Sequence, residues 1–117
     1  MKPLLDALRG IAVLFATQRN AMVHLVCTAL VVACGFLFEI SALEWCAVLL
    51  ATGLVLAAEA LNTAIEFLAD AVHPDQHPLV GKAKDVAAGG VLLAAIAAAA
   101  VGLIIFVPKL LTWIAPN

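Results

Sequence analysis

The 117-residue sequence predicts an all-α integral membrane protein: an N-terminal amphipathic surface helix followed by three transmembrane helices. Three observations carry that expectation. Hydrophobic residues make up 66% of the chain and the mean hydropathy is +1.16, whereas soluble domains are typically about 45–50% apolar. A soluble core cannot use that much apolar surface, so the bilayer is the expected solvent. Long runs also lack charge, above all the 23 uncharged residues from Val86 to Pro108. The first turns of the chain, by contrast, alternate apolar and polar residues at helical spacing. The length leaves room for a single membrane-embedded domain, residues 1–117. A net charge of −2 gives no general pull toward nucleic acid, which is not an expected partner.

The surface helix is expected over residues 1–20. Leu4, Leu5, Leu8, Ile11, Ala12 and Phe15 recur on one side, while Lys2, Asp6, Arg9 and Gln18 tend to the other. That pattern suits a helix lying in the interface. Read as a signal peptide, the segment would have its apolar core broken by Asp6 and Arg9 and would lack a convincing A-x-A site. The first span is expected over 22–40, where His24 is the only ionisable residue between Ala21 and Phe38. "EISALE" (Glu39–Glu44) then turns the chain into a second span over 43–71. "HPDQHPLVG" (His73–Gly81), with its prolines and glycine, is the expected loop before a third span over 83–110. Val86–Pro108 alone makes about 34 Å of helix at 1.5 Å per residue, enough to cross a bilayer. Cys27, Cys34 and Cys46 lie among apolar residues without CxxC spacing and read as small hydrophobes.

Charge orients this topology. Lys2, Arg9, Arg19, Lys82 and Lys84 fall on one side of the three spans and only Lys109 on the other. The excess of basic residues marks the cytoplasmic side. The N-terminus and the His73–Gly81 loop are therefore expected in the cytoplasm, where ATP and Mg²⁺ are available, and the C-terminus outside.

The second span carries unexpected polarity in "AEALNTAIEFLAD" (Ala58–Asp70). At 100° per residue, Glu59, Asn62, Thr63, Glu66 and Asp70 fall within an arc of about 100°, one face of the helix. Gly81, Lys84, Asp85 and Ala88 repeat the device at i, i+3, i+4 and i+7 at the start of the third span. A short loop makes the two spans antiparallel, so their cytoplasmic halves are neighbours and the stripes can face or flank one another. Asn62 and Thr63 alone could be interhelical glue. Two intramembrane glutamates seven residues apart, with Asp70, Lys84 and Asp85, are too costly for that role.

Carboxylates in such a place can bind Mg²⁺ together with substrate phosphates, a lysine supplies a point charge for phosphate, and a deeper carboxylate can take a proton from a lipid hydroxyl. The set suits phosphoryl transfer at an interface. It is not a Walker loop, because "GKA" (Gly81–Ala83) lacks the Ser/Thr after lysine and Gln76 occupies the first glycine position. Soluble-kinase motifs are absent as well.

"EALNTAIEFLAD" and "HPLVGKAKDVAAGGVLL" resemble, in order and spacing, the signature of the small bacterial membrane kinases, the diacylglycerol kinase and undecaprenol kinase family. The likeness extends back through "ALRG" (Ala7–Gly10) and "TQRNAMVHL" (Thr17–Leu25). The resemblance implies a homotrimer in the bacterial inner membrane with active sites at subunit boundaries. Its reaction would transfer the γ-phosphate of ATP, with Mg²⁺, to the primary hydroxyl of diacylglycerol, giving phosphatidic acid. Undecaprenol is the alternative acceptor, and "HPLVGKAKDVAAGG" looks somewhat closer to those members. The family's general base falls on Glu59 and its second metal-binding glutamate on Glu66. The nucleotide-holding pair falls on Lys84 and Asp85, the loop contacts to ATP on Asp75, Gln76 and His77, and further polar positions on Asn62 and Asp70.

One position departs from the pattern. The family commonly has a glutamate as first metal ligand where this chain has Gln18. An amide oxygen can coordinate Mg²⁺ without formal charge, so weaker binding, a water-mediated contact or an altered donor preference could follow. Two other classes compete with the kinase. A small proton-coupled transporter also places glutamate in a bundle, but no inverted repeat or discontinuous helix is apparent. A purely structural membrane subunit would leave the polar stripes idle, and nucleotide would not affect its stability.

Overall fold

The computed structural model describes residues 1–115. It contains four α-helices, α1 (Lys2–Thr17), α2 (Arg19–Leu37), α3 (Ala42–Val72) and α4 (Pro78–Ile114), with no strand among the described residues. The fold class matches the one expected. Helices α2, α3 and α4 are each long and apolar enough to cross a membrane. The 19 residues of α2 make about 28 Å of helix, close to the hydrocarbon thickness. The 31 residues of α3 make about 46 Å and the 37 of α4 about 55 Å, so both project beyond it.

Helix boundaries differ from the expected ones at several places, each for a local reason. The first span runs over Arg19–Leu37 rather than 22–40, because Phe38 caps it and left-handed Glu39 already begins the turn. The surface helix ends at Thr17 rather than at 20, because Gln18 alone is extended (φ −113°, ψ 111°) and serves both as C-cap of α1 and N-cap of α2. The loop expected over His73–Gly81 shortens to His73–His77. Pro78 opens α4 at the first helical position, where its missing N–H costs nothing. The His77 ring accepts a hydrogen bond from the Leu79 N–H (3.2 Å) and caps the new end. At the far end α4 runs through Pro108 to Ile114 instead of stopping at 110. A proline removes one backbone bond there, a loss that membrane helices tolerate through neighbouring groups.

The α2–α3 turn is tightly specified. The Ile40 N–H reaches the Gly35 carbonyl (3.1 Å) and the Glu39 N–H that of Phe36 (3.3 Å). These bonds form the C-terminal motif that needs one left-handed residue. Glu39 supplies it with φ 51°, a conformation usually left to glycine. Ser41 then caps α3 in a reciprocal box: its hydroxyl accepts from the Glu44 N–H (3.2 Å), and the Glu44 carboxylate accepts from the Ser41 N–H (2.9 Å). The same Glu44 oxygen meets Lys109 of α4 at 3.1 Å.

Packing concentrates at this end. Ile40, Val48 and Ile105 form a small core, flanked by Val31, Phe38, Trp45, Ala47, Val101 and Phe106. Phe36 lies against Trp45 (ring centroids 4.9 Å), and Phe38 against Phe106 and Trp113 (6.1 and 5.1 Å). Elsewhere large apolar side chains such as Leu50, Leu93 and Ile104 point outward. Such surface is stable against lipid and not against water.

Gly35 of α2 lies directly against the Trp45 ring of α3. A Cβ there would stand 2.6 Å from Cη2 of the Trp45 ring, which Phe36 also contacts. Gly35→Ala is therefore expected to cost about 1–3 kcal/mol of stability through overpacking, read as a lower unfolding midpoint in detergent. Combining it with Trp45→Leu should cost less than the sum of the two changes. Wild-type stability for Gly35→Ala would refute the close contact.

Candidate active site at the polar end of the α3–α4 hairpin

Opposite the aromatic end, α3 buries three polar side chains. Glu59 is 2% exposed, Asn62 8% and Thr63 4%. Their i, i+3, i+4 spacing puts them on the helix face turned into the bundle. Glu66 continues that face half-buried, and Asp70 emerges at the exposed end. Asn62 Nδ2 donates to Glu66 Oε1 at 3.4 Å, a long bond that orients the carboxylate. Lys84 Nζ of α4 donates to Asp70 Oδ1 and joins the two helices. An ion pair this exposed contributes at most about 1 kcal/mol, so its importance lies in where it holds the ammonium group.

Hydroxyl groups in the bundle show which polar atoms stand apart. Thr17, Thr28, Thr52 and Thr112 each donate to the carbonyl four residues earlier, at 2.7–3.0 Å. That local bond is the usual resting place of a membrane threonine. Thr63 departs from it: Thr63 Oγ1 and Asn62 Oδ1 are the buried side-chain atoms without a partner among the described residues. Buried unpaired polar atoms cost free energy and point to a missing ligand or water. Thr63 lines an apolar cleft of about 400 Å³ between α1 and α3, walled by Ala7, Gly10, Leu14, Ala60 and Phe67.

The α3–α4 loop shapes a second space. Asp75, Gln76 and His77 line an open cavity of about 580 Å³ with Lys84 at one wall and Gly81 on the first turn of α4. His73 Nδ1 is 2.9 Å from the Asp75 carbonyl and therefore carries the proton. Its ring meets His77 edge-on at 4.9 Å. With the imidazole of His77 accepting at the helix N-terminus, both histidines of the loop are tied to its own backbone. Four of the residues singled out for ATP, Asp75, Gln76, His77 and Lys84, thus share one cavity. Asp85 is exposed beside them without an ion pair among the described residues.

Gln18 sits half-buried at the α1–α2 corner, its amide donating to Thr17 Oγ1 at 3.4 Å. Among the described residues no three His, Cys, Asp or Glu side chains cluster as a ready-made metal cage. Mg²⁺ does not require one, since it keeps waters and binds through one or two carboxylates plus phosphate oxygens. Glu66, already oriented by Asn62, together with the unpaired Asn62 Oδ1, is a donor set compatible with that chemistry.

His24 was not among the site residues expected from sequence. Its Nε2 lies 3.9 Å from Glu59 Oε2, joining α2 to the buried carboxylate. The available signal was its isolation as the one ionisable residue between Ala21 and Phe38. Pairing it with Glu59 required knowing how α2 and α3 face one another.

Comparison with known proteins shows the family. The family described as prokaryotic diacylglycerol kinase matches residues 6–106. The undecaprenol kinase of Bacillus subtilis (strain 168) is 42% identical over 109 residues, covering 93% of this chain and 89% of that protein. A diacylglycerol kinase of Synechocystis sp. is 41% identical over 104 residues, covering 88% of this chain but 59% of that longer protein. A match through all four helices, including the polar faces of α3 and α4, makes the chain a member of the prokaryotic diacylglycerol kinase family.

Proposed function

We propose that this protein phosphorylates the primary hydroxyl of a membrane lipid, with ATP as donor, at the polar end of the α3–α4 hairpin. As a member of its family the chain is a lipid kinase and an integral membrane protein. The observation that carries the site assignment is Glu59, a carboxylate nearly sealed from water on the same helix face as Glu66. Glu59 would act as general base, with the acceptor's apolar body in the cleft between α1 and α3 that Thr63 lines. The loop residues Asp75, Gln76 and His77, with Lys84 and Asp85, would hold the nucleotide. Asn62 and Asp70 act through their partners, orienting Glu66 and placing Lys84. Seven residues separate Glu59 from Glu66, about 10 Å along the axis, so the base lies toward the lipid and the metal ligand toward the phosphates.

Glu66 and the unpaired Asn62 Oδ1 beside it, with the amide oxygen of Gln18 as a further donor, would hold Mg²⁺, which when bound neutralises charge on the transferred phosphoryl group. The lipid oxygen attacks the γ-phosphorus as its proton passes to Glu59, and ADP leaves along the cytoplasmic opening. Lys84 steadies the phosphates as a point charge. The distribution of basic residues supports a cytoplasmic N-terminus and loop and an outward C-terminus in the bacterial inner membrane. Undecaprenol and diacylglycerol both present one primary hydroxyl on a long apolar body. The near full-length match to an undecaprenol kinase favours the polyprenol as acceptor, with diacylglycerol the second reading.

Assays of the purified protein with each lipid and ATP should show phosphorylated product with at least one, and the favoured reading expects undecaprenol to be preferred. Glu59→Gln should lower turnover on either acceptor by about 10²–10⁴ while ATP affinity changes little. Near-normal turnover in that variant would remove Glu59 from the mechanism.

Because Gln18 is neutral, Glu66 is expected to dominate metal binding. Glu66→Gln should raise the Mg²⁺ concentration needed for half-maximal rate more than Gln18→Ala does. The reverse order in a Mg²⁺ titration would overturn the assignment.

One chain encloses little of a nucleotide and a lipid together, and ligand sites in bundles lie between helices. A homotrimer sharing its sites would close them, and "AAGG" (Ala87–Gly90) offers small residues for close helix contact. Mixed oligomers of inactive Glu59→Gln and inactive Asp85→Asn chains should then recover part of the activity. Verified co-assembly without any recovery would mean that each chain holds its own site.

A further inference from the structure

We propose that His24 carries away the proton that Glu59 takes from the acceptor hydroxyl, resetting the base between turnovers. This role presupposes Glu59 as general base. Each turnover leaves a proton on a carboxyl group that is 2% exposed and has no ready path to water. His24 Nε2, 3.9 Å from Glu59 Oε2, is the only basic nitrogen that the described residues place in ion-pair range of it. The His24 side chain is 24% exposed against 3% for that of Glu59, and it lies five residues from the Arg19 end of α2, so the ring is the less enclosed of the two and the nearer to a helix end.

The surroundings of His24 hold few other proton carriers. His24 lines an apolar cavity of about 300 Å³ between α2, α3 and α4. Toward it α4 presents Ala95, Ala98, Ala99 and Gly102, and α3 presents Val55 and Thr52, whose hydroxyl is bonded to its own helix. On α2 the Thr28 hydroxyl is likewise bonded, to the His24 carbonyl, and Cys27 is the one other titratable side chain in the lining. Across the bundle, the α1–α3 cleft contributes no titratable group at all. Glu66 stands about two helical turns away, roughly 10 Å along the axis.

Imidazole suits this task because it accepts a proton at one nitrogen and releases one from the other. The gap of 3.9 Å exceeds a hydrogen bond, and rotation of the half-buried ring or one bridging water closes it. The proton balance is simple. The lipid O–H bond breaks as its oxygen bonds to the γ-phosphorus and the bond to ADP breaks, and the proton goes to Glu59. The carboxyl O–H then breaks as an N–H forms at Nε2 of neutral His24, and the Nδ1 proton leaves to water or a buffer base. Glu59 ends the cycle ionised and His24 neutral with its proton on Nε2, and proton exchange with water or a flip of the ring returns the tautomer that can accept again. His24 acts through Glu59 and does not touch the lipid.

The test is chemical rescue. Turnover at saturating ATP and lipid is measured for wild type, His24→Ala, His24→Gln and Glu59→Gln, each shown by detergent unfolding to be folded. Both His24 variants should lose about tenfold or more in kcat with the KM for ATP unchanged. Added imidazole should restore His24→Ala in a concentration-dependent way and leave wild type unaffected. His24→Gln, which fills the space without carrying protons, should be as slow as His24→Ala if only the relay is missing. Wild-type turnover in the His24 variants, with Glu59→Gln inactive, overturns the relay and leaves the base in place. A loss of turnover that no concentration of imidazole restores also overturns it, reducing His24 to a charge or packing partner. Activity in Glu59→Gln overturns the base itself, and the relay with it.

Discussion

Hydrocarbon offers no partner to a backbone N–H or C=O, so each span must satisfy its own main chain from end to end. The helices here obey that constraint, and their ends show how much of the sequence is spent on it. Between α2 and α3 the chain turns within a few residues. It satisfies the last carbonyls of one helix through Glu39 and Ile40, and the first N–H groups of the next through Ser41 and Glu44. Between α3 and α4 the imidazole of His77 takes one orphan N–H, while Pro78 supplies a first helical position that has none to satisfy. Gln18 interrupts the chain by a single extended residue, which lets an interfacial helix meet a spanning one without an unpaired run of backbone.

The same constraint sorts the side chains. Threonine hydroxyls at four positions fold back onto their own helices, and cysteines lie among apolar neighbours. What cannot be settled locally gathers on one face of α3. Asn62 and Thr63 keep unpaired buried atoms, and Glu59 keeps a carboxylate with only a histidine nearby. Placing such groups together is costly in a small bundle. The compensation lies at the opposite end, where Phe36, Phe38, Trp45, Phe106 and Trp113 stack and Glu44 ties α3 to α4 through Lys109. One end of the molecule concentrates the packing and the other the polar groups that lack partners.

The bundle is thin, 61 × 37 × 21 Å, and few of its apolar residues are buried within one chain. Its stability therefore rests on lipid, or on further copies, covering the outward Leu, Ile and Val side chains. The clefts follow from this thinness. Small residues such as Ala7, Gly10 and Ala60 leave space between α1 and α3, and Ala95, Ala98 and Gly102 leave space beside α2.

The sequence by itself determined the class of fold, because uncharged stretches of about 20 residues have no stable place but a bilayer. It also determined that α3 carries its polar residues on one face, since helical periodicity alone places Glu59, Asn62, Thr63 and Glu66 together. Helix ends were less legible. A proline and a glycine in "HPLVG" read as loop, yet Pro78 at a first helical position starts a helix, and which of the two occurs depends on the His77 cap. Contacts between helices were decided only by tertiary structure. Lys84 paired with Asp70, His24 near Glu59 and Trp45 against Gly35 each depend on rotation and offset between neighbouring helices. Periodicity states which face a residue shares, but the helix it meets is set by side-chain packing between spans, where a shift of one residue turns a face by 100°.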